Sequence, residues 1–252
     1  MIQVIKIGGG VLENEAQRDA FLRQIAAIEG PKVLVHGGGR LATTMADRLG
    51  VETHMIDGRR VTDKETLDIV TMVYGGLVNK QVVAQLQTMG VNAIGMTGAD
   101  GGWMKAVKRP MKNGIDYGYV GDVVEVNGAH LRTLLDNGLT PVIAPITFSA
   151  DGLLLNTNAD TVASETAVSL APDVQLTFCF EKAGVLSNPD DESSLIACIT
   201  PETYTQLKAD GIISGGMIPK IDNAFAAIEH GVQSVRITHS NQIQGGTIIE
   251  QA

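Results

Sequence analysis

The chain has 252 residues, of which 44% are hydrophobic and 19% are charged, so it can bury a substantial core and is not intrinsically disordered. Its 19 Lys and Arg residues against 28 Asp and Glu residues give a net charge of −9, which argues against a nucleic-acid partner. No stretch approaches the ~20 apolar residues of a membrane helix, and the start of the sequence lacks a basic leader, so we expect a cytoplasmic protein.

Two strand–glycine–helix units open the chain. In each unit, β-branched residues precede three glycines, and apolar residues then recur at helical spacing. The predicted strand, glycine loop and helix cover residues 2–7, 8–10 and 15–29 in the first unit and 32–36, 37–39 and 41–49 in the second. Two such units in tandem indicate a parallel sheet.

A capping-box pattern marks the next predicted helix. Thr62 and Glu65 have the required spacing, and apolar residues follow at helical intervals. We expect Gly75 and Gly76 to interrupt this helix, and a second helix to continue to Gly90.

The remaining elements alternate between strand and helix patterns. Residues 97–116 are expected as loop and strand edge, and residues 117–126 as an antiparallel hairpin. Further strands are predicted at 91–96, 140–144, 153–155, 174–180, 232–238 and 247–249, and further helices at 129–137, 161–170, from 200 onward and at 219–230. A break at Ala171-Pro172 predicts two lobes, residues 1–171 and 172–252.

Two lysines stand beside glycine loops in this acidic chain. Lys6 lies two residues before Gly8, and Lys220 follows the glycines at positions 215 and 216. A glycine loop that leads from a strand into a helix aims backbone N–H groups and the positive end of the helix at one point, which suits a phosphate. Because a strand lysine beside such a loop is costly without an anion partner, the pattern predicts an anion site.

Comparison with known motifs leaves a dinucleotide site open. The chain has no G-x-x-x-x-G-K-[ST] sequence, and the esterase-like residues 36–39 have no G-x-S-x-G partner, so a Walker-type site and an esterase are excluded. Residues 37–42 fit G-x-G-x-x-A, with Asp57 placed 20 residues beyond Gly37, so a dinucleotide-binding oxidoreductase is a formal alternative. Cys179 and Cys198 have no His cluster beside them, so neither a disulfide framework nor a metal site follows.

Five motifs, in a fixed order, carry a family resemblance. They are Lys6-Ile7-Gly8-Gly9, His36-Gly37-Gly38-Gly39, Gly58-Arg59-Arg60-Val61-Thr62, Asn156-Thr157-Asn158-Ala159-Asp160 and Gly216-Met217-Ile218-Pro219-Lys220. With them the chain resembles the amino acid kinase family from about residue 2 to residue 249. The third and fourth motifs together are typical of the family members that act on acylated glutamate, rather than on aspartate, carbamate or uridylate.

The resemblance implies a fold and a reaction. The implied fold class is α/β, a three-layer α/β/α sandwich around a largely parallel central sheet, with the acyl substrate bound in the N-terminal lobe and ATP in the C-terminal lobe. The implied reaction is ATP-dependent phosphorylation of the side-chain carboxylate of N-acetyl-L-glutamate in arginine biosynthesis. Mg²⁺ would bridge the ATP phosphates, with no protein ligand that can be named.

The resemblance also implies catalytic roles. Lys6 and Lys220 would offset charge on the transferring phosphoryl group and the leaving phosphates, and Asp160 would hold both lysines in place. Without the resemblance, Asp160 could equally be a helix N-cap. Four glycines would bring their backbone N–H groups close to the phosphoryl oxygens, namely Gly8, Gly9, Gly38 and Gly39.

Substrate binding is implied for three residues. Arg60 would clamp the substrate α-carboxylate as a fork, and Asn156 and Gly38 would help to fix the substrate. Without the resemblance, Arg60 could be a surface ion pair and Asn156 a turn former.

The motifs leave the acyl group open. Succinyl in place of acetyl would bring a further carboxylate into the N-terminal lobe, and burying it would require a cation. The basic stretch at residues 103–112 could supply this cation. The alternative is that its basic residues, like Lys64, are solvated surface charges. The basic residues of the stretch are Lys105, Lys108, Arg109 and Lys112. A kinase for another small acid and a non-catalytic nucleotide-binding relative also stay possible at this point.

Two further expectations come from comparison with the family pattern. Residues 179–184, Cys-Phe-Glu-Lys-Ala-Gly, replace a usual Thr/Ser-Asp-Val stretch, so the ribose and adenine contacts made there stay unassigned. The first strand begins at residue 2, without the added N-terminal helix that accompanies hexamers and arginine inhibition in the family. We therefore expect a homodimer insensitive to arginine, with its interface on helices at residues 67–89.

Overall fold

The computed structural model describes residues 1–56, 58–188, 190–215 and 217–251. Asp57, on which the dinucleotide alternative depends, and Gly216 of the fifth motif lie outside the described residues. None of the helices within these ranges is long and apolar enough to span a membrane.

Most strands belong to one large sheet. In chain order the strands of the described ranges are β1 (Ile2–Ile7), β2 (Lys32–His36), β3 (Met55–Ile56), β4 (Arg59–Arg60), β5 (Ala93–Met96), β6 (Met104–Lys108), β7 (Gly121–Val126), β8 (Thr140–Ile143), β9 (Ile146–Phe148), β10 (Leu154–Asn156), β11 (Val174–Phe180), β12 (Cys198–Ile199), β13 (Ser234–His239) and β14 (Thr247–Ile249). The large sheet has the order β12-β14-β13-β11-β1-β2-β8-β5. Its neighbouring strands are parallel except for β13 and β14, so the predicted largely parallel sheet is confirmed.

Two smaller sheets lie beside the large one. Strands β10, β9, β6 and β7 pair in that order, and β3 and β4 form a short antiparallel pair. The hairpin predicted at residues 117–126 contains one strand, β7. Its antiparallel partner β6 lies in the stretch expected as loop and strand edge. The sequence does not predict β9, because its three residues follow Pro145 closely and are too few to show a recognisable alternation.

The helices pack on both faces of the large sheet. They are α1 (Gly9–Glu13), α2 (Glu15–Ala27), α3 (Gly39–Leu49), α4 (Lys64–Val70), α5 (Asn79–Thr88), α6 (Gly128–Asp136), α7 (Ala159–Leu170), α8 (Pro201–Ala209) and α9 (Met217–Glu229), with a π-helical segment (Thr71–Val78) between α4 and α5. One apolar core joins the sheet to α6, α7, α8 and α9, and the other joins it to α1, α2, α3, α4, the π-helical segment and α5. This arrangement confirms the three-layer sandwich.

The helix that starts after Thr62 differs from its prediction in two ways. Asp63 is the N-cap, and its side chain accepts a hydrogen bond from the backbone N–H of Thr66. Gly75 and Gly76 do not interrupt the helix, because the π-helical segment carries the chain through them into α5. Two glycines cost about 1 kcal/mol each in a helix, and burial of the apolar residues around them outweighs that cost.

The large sheet is continuous across the predicted lobe boundary. Strand β1 pairs with β11 along its whole length, from Ile2 opposite Val174 to Ile7 opposite Cys179. Successive residues of paired strands face opposite sides of the sheet, so β1 and β11 each contribute residues to both cores. Both cores therefore contain residues from before and after position 171. The division into lobes at 171 and 172 stays a prediction.

Candidate active site

Two strands and two helices bring charged residues together at one edge of the large sheet. Lys6 is the penultimate residue of β1, and Phe180 is the last residue of the neighbouring strand β11. Asp160 and Lys220 lie in the first turns of α7 and α9. Parallel strands end at the same edge, where ligands of α/β proteins usually bind, so the fold collects residues that are far apart in sequence.

The Lys6 ammonium is nearly buried and is paired with Asp160. Its side chain is 11% exposed, and its Nζ lies 2.7 Å from Asp160 Oδ1. An unpaired buried ammonium would be costly, so the carboxylate stabilises this position. The Asp160 carboxylate can pair with Lys6 because Asn158, not Asp160, caps α7. The Asn158 side chain accepts hydrogen bonds from the backbone N–H groups of Asp160 and Thr161. The helix-cap alternative for Asp160 is therefore wrong.

Lys220 completes this cluster. Its Nζ lies 3.8 Å from the centre of the Phe180 ring, and Lys6 Nζ lies 5.5 Å from the same centre. Burial lowers the pKa of Lys220, whereas Asp160 raises it and Lys6 lowers it. The structure thus brings together the three residues that the motifs predict to act together. The sequence does not predict the contact of the Phe180 ring with the two lysines. The one feature that could have drawn attention to Phe180 is its place in the segment that departs from the family pattern.

The two glycine turns contact each other through their backbones. The first turn comprises residues 8–10 and the second turn residues 37–39. A Cβ on Gly9 would lie 2.9 Å from the Gly38 nitrogen, and a Cβ on Gly38 would lie 2.8 Å from the Tyr74 ring. Only glycine therefore fits at these two positions. The first turn is shorter than predicted, because Gly9 and Gly10 already belong to α1.

A neutral histidine anchors the second turn. His36 is fully buried at the end of β2, and burial lowers its pKa to about 4. Its Nδ1 lies 2.8 Å from the Gly37 carbonyl oxygen, which can only accept, so Nδ1 carries the proton. Its Nε2 then accepts from the Asn79 amide at 3.1 Å, and that amide also donates to the Val142 carbonyl. The ring is thereby fixed from both sides.

A cavity of about 220 Å³ opens beside the second turn, and we call it the Arg60 cavity. Arg60 Nη2 donates to the Gly39 carbonyl oxygen at 2.8 Å and to Thr43 Oγ1 at 2.9 Å, and Nη1 donates to Thr53 Oγ1 at 3.2 Å. Within the described parts of the chain no carboxylate pairs with Arg60, so the surface ion-pair alternative is wrong. The guanidinium keeps its full charge for a ligand.

Asn156 lines the same cavity. It is the last residue of β10, and its amide Nδ2 donates to Thr62 Oγ1 at 3.0 Å. Its place in a strand excludes the turn-former alternative. Residues 157–159 continue along the wall to the start of α7, so the cavity extends toward Asp160.

A second cavity, of about 310 Å³, lies beside the first turn. We call it the Phe180 cavity, because Phe180 and Lys220 form part of its wall, together with Gly8 and Gly10. The segment at residues 179–184 that departs from the family pattern supplies much of the remaining wall. Lys220 therefore faces the cavity beside the first turn, and Asp160 lies in the first turn of the helix that borders the cavity beside the second.

Most of the basic stretch is on the surface, as expected for solvated charges. Lys105 pairs with Glu125 and Lys108 with Asp116, and Lys64 pairs with Asp68 on its own helix. Arg109 is the exception: its side chain is 19% exposed, it lines the Arg60 cavity, and it donates three hydrogen bonds to the Asp122 carboxylate.

Neither cysteine forms part of a reactive or metal-binding cluster in the described ranges. Cys179 is buried in β11, where burial raises the pKa of its thiol to about 12, and Cys198 is exposed. No group of three or more His, Cys, Asp and Glu side chains in these ranges is arranged to hold a metal ion.

The fold and this site define a class of protein. A largely parallel sheet with two glycine turns, two ammonium groups and one carboxylate at its carboxyl edge has the chemistry of an enzyme that transfers phosphoryl groups. The sequence pattern of the amino acid kinase family matches residues 1–239, so the chain belongs to this family and is a kinase. The dinucleotide-binding alternative is therefore wrong.

Similar proteins cover nearly the whole chain. It is 53% identical to an acetylglutamate kinase of Phocaeicola vulgatus over 99% of this chain and 98% of the relative. It is 54% identical to an acetylglutamate kinase of Bacteroides thetaiotaomicron over 96% of this chain and 95% of the relative. Among solved structures, smu.665 of Streptococcus mutans has a TM-score of 0.77 and 30% identity, covering 99% of this chain and 98% of that one.

Proposed function

We propose that this protein transfers the γ-phosphoryl group of ATP to the side-chain carboxylate of N-acetyl-L-glutamate, a reaction of arginine biosynthesis. The relatives named acetylglutamate kinase support this substrate, because they match over nearly their full length. The observation that carries the proposal is the Lys6–Asp160 pair with Lys220 beside it, at the sheet edge where the two cavities lie.

The proposed reaction requires no proton transfer. A carboxylate oxygen of the substrate attacks the γ-phosphorus, and the bond from that phosphorus to the bridging oxygen of ADP breaks. Because the attacking group is already an anion, no general base is needed, and the protein must align the reactants and offset charge. Lys6 and Lys220 would offset charge on the phosphoryl group and the leaving ADP, and Asp160 would fix Lys6 in place.

The Arg60 cavity is proposed to bind the acyl substrate. Among the described residues, the Arg60 guanidinium hydrogen bonds to neutral oxygens. It would form a fork on the α-carboxylate, and Asn156 would help to orient the substrate. The N–H groups of the first and second turns would contact the phosphoryl oxygens at Gly8, Gly9, Gly38 and Gly39.

The Phe180 cavity is proposed to bind ATP. It lies beside the first turn and contains Lys220, which suits the phosphates. Mg²⁺ is held in many kinases mainly by substrate phosphates and water, and we propose the same mode here. When bound, the ion would supply further charge neutralisation on the phosphates.

A direct test measures ADP release with a panel of acids. We expect turnover with N-acetyl-L-glutamate, and trapping with hydroxylamine should show an acyl phosphate product. Aspartate, carbamate and free glutamate serve as controls for another small-acid kinase. Isothermal titration that shows ATP binding without ADP release from any acid would instead support a non-catalytic nucleotide-binding protein and contradict the proposal.

One observation favours a second candidate substrate, N-succinyl-L-glutamate. Of the four basic residues proposed to meet an added carboxylate, Arg109 lies in the wall of the Arg60 cavity. Asp122 already holds its guanidinium, so a succinyl carboxylate would have to share that cation. The test compares kcat/KM for the two acylglutamates in the wild type and in Arg109→Gln. A preference for acetyl that Arg109→Gln leaves unchanged would eliminate the succinyl candidate.

We also propose that the protein is a homodimer and that it acts in the cytoplasm. Met72 and Leu77 are 57% and 40% exposed on the π-helical segment, within the helices predicted to form the interface. Light scattering should give a mass of about twice the 26.6 kDa chain. A monomer or a hexamer would contradict the dimer.

A further inference from the structure

The Lys6 and Lys220 ammonium groups converge on the same phenyl ring. Lys220 Nζ lies 3.8 Å from the Phe180 ring centre, which is close for a cation–π contact, and Lys6 Nζ lies 5.5 Å away, within the usual ~6 Å. One side chain from β11 is therefore in contact with both of the cations that the motifs predict to act on phosphate.

The carboxylate of the cluster contacts Lys6 directly but not Lys220. Two ammonium groups share one carboxylate, and Asp160 Oδ1 is bonded to Lys6. In the described parts of the chain no carboxylate lies within ion-pair distance of Lys220. Burial lowers the pKa of Lys220, Asp160 raises it, and Lys6 lowers it by less than Asp160 raises it. Asp160 therefore attracts Lys220 from beyond ion-pair distance, and this longer-range attraction does not by itself fix the place of the ammonium group.

The face of an aromatic ring provides a short-range attraction without a counter-charge. A second carboxylate would also hold Lys220, but it would neutralise the ammonium and repel an incoming phosphate. The negative face of the ring attracts the cation while leaving the net charge of the site positive. The ring is also well fixed, because Phe180 ends β11 and stacks on Phe178 at a centroid distance of 6.2 Å.

We propose that Phe180 is a positioning residue for phosphoryl transfer: its ring holds the ammonium groups of Lys220 and Lys6 side by side, aimed at the transferring phosphate. This inference rests on the proposed function for the reaction that it assists. It gives a role to the segment at residues 179–184, which the family pattern leaves unassigned.

Two substitutions distinguish a role of the aromatic π face from a role of side-chain volume. Phe180→Leu keeps an apolar side chain but removes the π face, and we expect kcat to fall about tenfold while KM for the acid substrate stays nearly constant. Phe180→Tyr keeps the face and should restore most of kcat. If the ring only packed against the nucleotide, Phe180→Leu would raise KM for ATP and leave kcat intact, which would overturn the proposal.

Phe178→Leu is the matched control. Phe178 lies two residues earlier on the same strand and has its ring in the apolar core, so its loss tests the effect of removing a phenyl group from β11. We expect a loss of stability and a much smaller fall of kcat than in Phe180→Leu, because Phe178 packs against Phe180 while both lysines lie over the Phe180 ring. An equal fall of kcat in Phe178→Leu and Phe180→Leu would mean that packing, not the contact with the lysines, sets the rate.

A spectroscopic test does not depend on activity. A methylene group held over a ring face is shifted upfield in the proton NMR spectrum, so the Lys220 ε-CH₂ signal should lie upfield of the other lysine signals. The signal is assigned by its absence in Lys220→Arg, and the shift should persist in Phe180→Tyr and disappear in Phe180→Leu. A Lys220 signal at the ordinary position in the wild type would overturn the proposal even if neither Phe180 variant could be purified.

The two proposals can fail separately. A wild-type protein that releases no ADP with any acylglutamate would contradict the proposed function, whatever the NMR spectrum shows. A wild-type protein with normal turnover, whose kcat survives Phe180→Leu, would contradict only the role of Phe180.

Discussion

The two strand–glycine–helix units at the start of the chain have similar sequences but different chemistry. The strand before the first turn carries Lys6, a nearly buried cation paired with Asp160. The strand before the second turn ends in His36, which is fully buried and neutral. Charge is thus concentrated beside the first turn, while neutral hydrogen bonds hold the second in shape. One motif therefore serves charge stabilisation in one copy and fixed geometry in the other.

The largest expected effect tests the charged side of this contrast. Lys220→Ala removes a cation proposed to act chiefly in the transition state, so kcat should fall on the order of 10²–10³-fold with little change in acid-substrate KM. Steady-state ADP release measures both constants. Lys208→Ala is the control, because Lys208 also lies over a ring, that of Tyr204, but outside the site. Full turnover in Lys220→Ala would refute the assignment.

The next prediction concerns the neutral His36 of the second unit and the dependence of protein stability on pH. In the folded protein the pKa of His36 is about 4, against about 6.5 when unfolded, so the unfolded chain binds an extra proton between these values. Stability from neutral His36 is therefore present above pH 6.5 and should decline by about 3 kcal/mol as pH falls to 4. Urea unfolding from pH 7 to pH 4 measures this decline.

His36→Asn isolates that contribution, because asparagine does not titrate in this range. The variant should be less stable at pH 7, and the difference from the wild type should shrink as pH falls. Parallel curves for the two proteins would mean that the pKa of His36 is the same in the folded and unfolded states.

Arg60 tests whether the second turn also organises substrate binding. Arg60→Lys removes the guanidinium fork that hydrogen bonds to Gly39 and Thr43, so KM for the acylglutamate should rise about thirtyfold with a smaller change in kcat. Arg48→Lys is the control, because Arg48 lies at the exposed end of α3, the helix that contains Gly39 and Thr43, and it should have no effect. An unchanged KM in Arg60→Lys would remove Arg60 from the substrate site.

The smallest expected effect concerns Asn158, the cap that frees Asp160 for Lys6. Asn158→Ala should reduce stability by about 1 kcal/mol through loss of the cap, and kcat should fall because the first turn of α7 positions Asp160. Asn14→Ala removes a similar cap from α2, away from the cluster, and should reduce stability alone. Equal kcat values in the two variants would show that the α7 cap is only structural.

The sequence predicts the charged cluster well because its members stand in short motifs at the ends of strong elements. Lys6 lies next to the end of a β-branched strand, and Asp160 and Lys220 lie in the first turns of helices, so the parallel-strand topology brings them to one edge. The implied roles of these residues stay predictions, although their proximity is now established.

The features that the sequence does not predict depend on packing between distant residues. The Phe180 ring looks like one more apolar residue of a buried strand, and its two cations come from other elements. Arg109 resembles its exposed basic neighbours until β6 and β7 pair and set it in the cavity wall. The uninterrupted helix through Gly75 likewise reflects tertiary burial, which local glycine content does not reveal.

The backbone contact between the two turns has a consequence for how this enzyme could diversify. Because the backbones of Gly9 and Gly38 approach each other closely, no side-chain rotamer can alter the spacing between the anchor points proposed for the two reactants. The far wall of the Arg60 cavity, which includes Met55 and Arg109, is built from side chains and can change independently. The preference for one acyl substrate over another can therefore change without changing the distance over which the phosphoryl group is transferred. Variants selected for a new acyl group should retain the same reaction geometry.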